Sequence, residues 1–278
     1  MAPAYALLAS LAWGVGDFMG GLKSRLMPAL VVMAVAQPFG LVALVIAVAV
    51  RGTGPPGPEV AWAALAAVFG TLGLVAFYRG MAAGAISVVV PLAAVAAGIP
   101  VLWGLTQGDH VSFLQEIGFI AALGGGLMAS LERGASRRQF AAGTGWALLA
   151  LLGFGGYFIP LHASAAHDWL WPSLIFRAVS VTLVWSALLL TRQRQRVRGV
   201  RSHLIVLAAI GLLDTGGNTL FAAASASHGL LSVVSVLASL YPAVTVLLAR
   251  FALGERVERS QNIGILVTLA GVVLISAG

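Results

Sequence analysis

Four polar side chains stand where this chain is otherwise apolar for long stretches. Asp17 lies in WGVGDF (13–18), Arg177 in LIFRAV (174–179), and Asp214 and Asn218 in LLDTGGNTL (212–220). A carboxylate in such a place can take a proton or a substrate amine. A guanidinium can meet an anionic group, and a carboxamide can orient either by hydrogen bonds. Asp214 and Asn218 are four apart and share one face of a helix. Gly216 and Gly217 between them permit close backbone approach or local unwinding. Trp13 and Tyr157, the latter in GFGGYF (153–158), could stack on a ligand or hydrogen-bond to it. Each reading has a plainer rival. Asp214 could pair with Arg177, Asp17 could pair with Lys23 or Arg25, and the aromatics could be packing elements.

The elements that must position these groups follow from composition. Of 278 residues, 60% are hydrophobic and only 9% charged. A soluble domain carries about a quarter charged residues, so lipid is the bulk solvent expected for most of this surface. Ten segments reach the ~20 apolar residues that a spanning helix needs: about 4–22, 28–50, 60–80, 84–106, 112–131, 141–161, 169–190, 203–223, 228–251 and 261–277. The first reads as a retained span and not as a signal peptide. Pro91, Pro100 and Pro242 are expected to interrupt the fourth and ninth spans.

Basic residues settle the expected orientation. Fourteen of the sixteen Lys and Arg residues lie at connections after odd-numbered spans; Arg51 lies at the opposite side and Arg177 inside a span. The positive-inside rule then puts the odd connections in the cytoplasm and both termini on the non-cytoplasmic side of an inner (plasma) membrane. The same distribution argues against nucleic acid as a partner, despite a net charge of +7, because no basic face or tail is formed.

The chain also repeats itself. Gly84 and Ser87 recur as Gly229 and Ser232, 145 positions on; Gly108-Asp109, Gln115 and Gly118 recur as Gly254-Glu255, Gln261 and Gly264, 146 on. Asp17 falls opposite Tyr157 and Gln37 opposite Arg177, both 140 on, and Thr71 opposite Thr215, 144 on. Five spans per half make the second half enter the membrane from the other side, the inverted-repeat plan of secondary transporters. The expected fold is all-α, with ten transmembrane helices as two inverted five-helix repeats, 1–139 and 140–278.

An apolar run ending in Gly254-Glu255-Arg256, followed by Gln261, Gly264 and a last apolar span, resembles the EamA type of the drug/metabolite transporter superfamily. Trp13-Gly14, SLYPAVTVLL (239–248) and Phe176-Arg177 fit the same pattern, whereas Gly108-Asp109-His110 departs from it in the first half. The resemblance implies a secondary transporter with a central cavity, lined by the first, third, fourth, sixth, eighth and ninth spans. It implies export of a small amino-acid-like or drug-like metabolite by alternating access, with protons as a candidate coupling ion. An uptake permease is the nearest alternative; a non-transporting membrane protein or an intramembrane enzyme is a remote one.

No HExxH, GxSxG or P-loop motif occurs, so no enzyme is expected. His162, His167 and His228 lack metal-ligand spacing and read as solvated. Neither a metal nor a cofactor is expected. The residues expected to bind substrate or proton are Asp214, Asn218, Asp17, Trp13, Tyr157 and Arg177. For the orientation, a reporter that is active only outside the cytoplasm, fused after Gly278, is expected to be active; activity of a cytoplasm-only reporter there would reverse it.

Overall fold

The computed structural model describes residues 1–82, 93, 95–130, 137–191, 200–253 and 259–277, and no strand occurs among them. Its helices are α1 (Ala2–Ser24), α2 (Ala29–Arg51), α3 (Trp62–Ala82), α4 (Gly98–Thr106), α5 (Phe113–Ser130), α6 (Arg137–Ser164), α7 (Leu170–Leu190), α8 (Leu204–Ala226), α9 (Leu231–Ala238), α10 (Tyr241–Leu253) and α11 (Arg259–Ala277). Gly84, Ser87, Pro91, Arg133, the basic run Arg192–Arg198 and the Gly254-Glu255-Arg256 knot lie outside the described residues.

Among the described residues, five helices are long and apolar enough to cross a membrane: Ala29–Arg51, Pro58–Ala82, Gly145–Ser164, Leu170–Leu190 and Arg201–Ala226. α1 matches them in length at 23 residues, but Asp17, Trp13 and its glycines dilute its apolar character. The outward faces carry bare aliphatic side chains such as Val45, Ile120, Ile205 and Leu266. In water such a surface would aggregate; against lipid tails it is matched.

The ninth span is not one helix. α9 ends at Ala238 and α10 begins at Tyr241. Pro242 has no N–H, and its ring clashes with the carbonyl four residues back, which favours a break there. Ser239 N–H still bonds Ser235 C=O at 2.9 Å, and Ala243 N–H bonds Leu240 C=O at 3.0 Å across the break. Pro100 sits near the start of α4, behind a turn at 95–97. Pro38 and Pro160 are held inside continuous helices.

Helix packing follows a consistent scheme. α3 lies along α6, α1 along α8, and α5 along α11; α2 contacts α7 and α8, α3 contacts α7, and α9 contacts α4. Small residues set these distances, as expected where lipid supplies no hydrophobic drive for association. At Gly153 an added Cβ would collide with the backbone of Gly73, so α3 and α6 touch main chain to main chain.

One face is clasped by charge. Arg51, at the end of α2, donates from both Nη atoms to Asp168, each at 2.6 Å. Asp168 also accepts from the backbone N–H of Leu170 (3.0 Å) and Trp171 (3.4 Å), capping α7. The Trp171 indole N–H donates to Thr53 C=O at 2.8 Å. Burial pushes the Asp168 carboxyl up, but Arg51 and the two backbone amides outweigh it and hold it below the ordinary carboxylate range. A depressed carboxylate stabilises the fold above its unfolded pKa, and the contribution disappears as pH falls through the folded one. Asp168→Ala is therefore expected to lower unfolding stability at pH 7 by about 1–3 kcal/mol. Thermal unfolding scans should show the gap to wild type closing on acidification below the ordinary carboxylate range; a gap that is constant with pH would refute the clasp.

Candidate functional site

α7 and α8 bring Arg177 and Asp214 together. Arg177 Nη1 lies 2.7 Å from Asp214 Oδ2. Arg177 is 1% exposed and Asp214 18%. The contact is one of charge and not of alignment: Nε and both Nη of Arg177 are buried and without a well-directed hydrogen-bond partner. Its guanidinium also stands 5.7 Å from the Phe176 ring centroid. Arg177 does not reach out to the membrane surface.

The pair lines a cavity that offers about 50 Å³ to water-sized molecules. Trp13, Asp17, Tyr157 and Asn218 line the same cavity, so all six residues singled out from sequence converge there. Tyr157 donates to Asn218 Oδ1 at 2.7 Å, and Asn218 Nδ2 donates to Asp214 C=O at 2.9 Å. α8 runs unbroken through Gly216 and Gly217. Gly217 serves close approach and not unwinding, because an added Cβ there would overlap the Trp13 indole, whereas Gly216 faces open space. Trp13 in turn meets the rings of Tyr157 and Tyr241 edge-on, at centroid distances of 6.0 and 6.2 Å.

Asp17 finds neither Lys23 nor Arg25. Its Oδ1 accepts from Tyr78 Oη at 3.4 Å, a long bond for an O–H donor, while Lys23 Nζ lies 3.3 Å from His203 Nδ1. The carboxylate is thus sparsely satisfied and 8% exposed. On the opposite wall, Thr71 and Ser180 share a hydrogen bond at 2.8 Å, and Ser180 donates to Gln37 Oε1 at 3.2 Å. This polar chain joins α3, α7 and α2.

The structure corrects several expectations. Gln37 of α2 and Arg177 of α7 line the cavity, so the second and seventh spans belong to its wall, whereas the described residues of the fourth span do not. His162 is half-buried and lies 3.0 Å from Ser225 Oγ, so it is not solvated; desolvating contacts on α8 were invisible in its local sequence. Ser232 does more than pack: its N–H and hydroxyl both donate to Asp109, at 2.9 and 2.7 Å. Asp109, which falls opposite Glu255 in the repeat, thereby caps α9. Ser180 and Tyr241 were missed as cavity residues. Ser180 follows Arg177 by three positions, on one helix face, a spacing that could have revealed it.

Residues 141–277 match the EamA-like transporter family. Through that half, the chain belongs to the EamA-like transporter family. No curated protein matches the sequence. Among solved structures, one crystal structure superposes over 99% of this chain and 98% of its own, with a TM-score of 0.75 and 16% identity; it is one of 19 solved chains that match. At that identity the likeness is one of fold.

The EamA-like half contributes Tyr157, Arg177, Asp214, Asn218 and Tyr241 to the cavity; the other half contributes Trp13, Asp17, Gln37 and Thr71. Breaking a buried ion pair strands the remaining charge at a cost of about 3–5 kcal/mol. Asp214→Asn alone is expected to depress the unfolding temperature sharply, and Arg177→Gln added to it to recover most of the loss. A double variant no more stable than the single one would show that the two charges are not an energetic unit.

Proposed function

We propose that this EamA-like protein is a secondary active transporter that exports a small, amino-acid-like or drug-like metabolite by alternating access. The reading takes ten spans as two inverted five-helix repeats that rock about the central cavity. The packing scheme supports it. Exchanging the first five spans for the last five turns the α3–α6 contact into α8–α1, and α2–α8 into α7–α3, while α5–α11, α2–α7 and α4–α9 map onto themselves.

The observation that carries the functional reading is the convergence of the charged and aromatic residues of both halves on one cavity. Its chemistry suits an amine with an apolar body. Arg177 neutralises Asp214, which leaves Asp17, held by a single long hydrogen bond, to receive an ammonium group or a proton. Trp13, Phe154, Phe158 and Tyr241 supply faces for an apolar or cationic body, since aromatic faces attract cations. One carboxylate that takes either a proton or an amine is a simple basis for exchange, with protons as the coupling ion.

Reconstitution into liposomes tests this. Counterflow with labelled amines and amino acids should identify substrates, and their accumulation should track an imposed proton gradient. Asp17→Asn is expected to abolish gradient-driven accumulation while the protein stays folded. Transport indifferent to the gradient would leave a facilitator; wild-type transport by Asp17→Asn would remove Asp17 from the site.

A further inference from the structure

A second recess lies away from the central cavity, where α1 turns into α2 and meets the end of α3. It is partly open to solvent and offers about 350 Å³ to water-sized molecules. Ser24, Arg25 and Arg79 supply its polar lining, with Leu26, Met27 and Leu30 beside them. No Asp or Glu lines it among the described residues.

Three independent features of this recess favour an anion. First, it holds the N-terminus of a 23-residue helix, α2, that begins after Pro28 without a side-chain cap. The N–H groups of Ala29 and Leu30 find no partner there, the first backbone bonds of the helix being Val31 and Val32 N–H to Pro28 C=O. Free amides and the helix dipole together attract negative charge. Second, Ser24 is 5% exposed and its hydroxyl is buried without a hydrogen-bond partner. An unsatisfied buried hydroxyl costs free energy that a ligand oxygen would return. Third, Arg25 and Arg79 both line it. The Arg79 guanidinium stands 5.4 Å from the Trp146 ring centroid, and Arg25 is exposed, without a carboxylate partner among the described residues.

We propose that this recess binds a phosphate group, independently of the transport cavity. Guanidinium and helix amides are the groups that phosphate oxygens select. The recess lies at the connection after the first span, on the face that the basic-residue asymmetry assigns to the cytoplasm. Phosphate there has two sources: an acidic phospholipid of the inner leaflet or a soluble phosphate. Leu26 is 71% exposed at the rim, which favours the lipid, since an acyl chain would run along it. The consequence would be a protein whose first helical hairpin is anchored by its own membrane.

Native mass spectrometry of the full chain released from detergent tests the proposal, with dioleoyl-phosphatidylglycerol, dioleoyl-phosphatidylcholine and inorganic phosphate as separate probes. The wild type should retain one phosphatidylglycerol with roughly tenfold preference over phosphatidylcholine. Arg25→Gln/Arg79→Gln should reduce that preference to near unity. Arg25→Lys should keep most of it, and Arg201→Gln, on the same face but outside the recess, should leave it unchanged. Saturable inorganic phosphate binding lost in the double variant, without a lipid preference, would support the site and assign its soluble source. Equal retention of both lipids with no phosphate binding would overturn the proposal. So would a loss with Arg201→Gln as large as with Arg25→Gln, since attraction would then belong to net charge and not to the recess. Unfolding scans without lipid check that each variant is folded.

Discussion

A guanidinium that is 1% exposed, in the middle of an apolar helix, needs an anion beside it. Moving such a charge out of water is repaid only by close opposite charge. Arg177 therefore fixes the register of α7 against α8 through Asp214, and that register determines the cavity. With Asp214 held, Asn218 one turn on faces Tyr157, and the Asn218 carboxamide ties back to the Asp214 carbonyl. Gly217 between them lets Trp13 of α1 close against α8. The poorly directed N–H groups of Arg177 leave it with bonding capacity in hand. A pair held by charge, and not locked by fork-to-fork hydrogen bonds, is easier to rearrange when a ligand enters.

The two halves bring different chemistry to one cavity. Where the second half has Arg177, the first has Gln37; where the first half has Asp17, the second has Tyr157. All four line the cavity. Positions 140 apart in the sequence thus face one cavity with different charge. An exact copy of Arg177 at position 37 would put two guanidinium groups into one small cavity. Gln37 instead accepts a hydrogen bond from Ser180. Charge is concentrated in Asp17, Arg177 and Asp214, and the rest of the wall is mostly aromatic, with the hydroxyls of Thr71 and Ser180 and the carboxamides of Gln37 and Asn218.

Much of this was legible in the sequence, because membranes impose harsh rules. Spans could be read from length and hydropathy, and an ionisable residue inside one had to point inward. The Arg177–Asp214 contact was one of two readings open for Asp214, the other being a ligand-binding carboxylate. What was hidden is the choice of partner across elements that lie far apart in the chain. Asp17 had basic residues six and eight positions on, yet its partner is Tyr78, on α3. Arg51 and Asp168 are separated by 117 positions, and neither stands in a local pattern. The break at 239–240 was foreshadowed by Pro242, but its consequence, a free helix start that carries Tyr241 into the cavity, needed the fold. The Gly254-Glu255-Arg256 knot, the strongest mark of family in the sequence, lies outside the described residues.

The central claim is that one cavity between the halves is reached from either side of the membrane in turn. The chain has no cysteine, so a single thiol can be placed without background. Ser180→Cys puts it on the cavity wall, beside Arg177 and opposite Thr71. With the protein in oriented vesicles, a membrane-impermeant thiol reagent should label this position when added from the outside and also when added from the inside, each at a rate that transported substrate alters. Labelling from one side only, or from neither, would contradict the account.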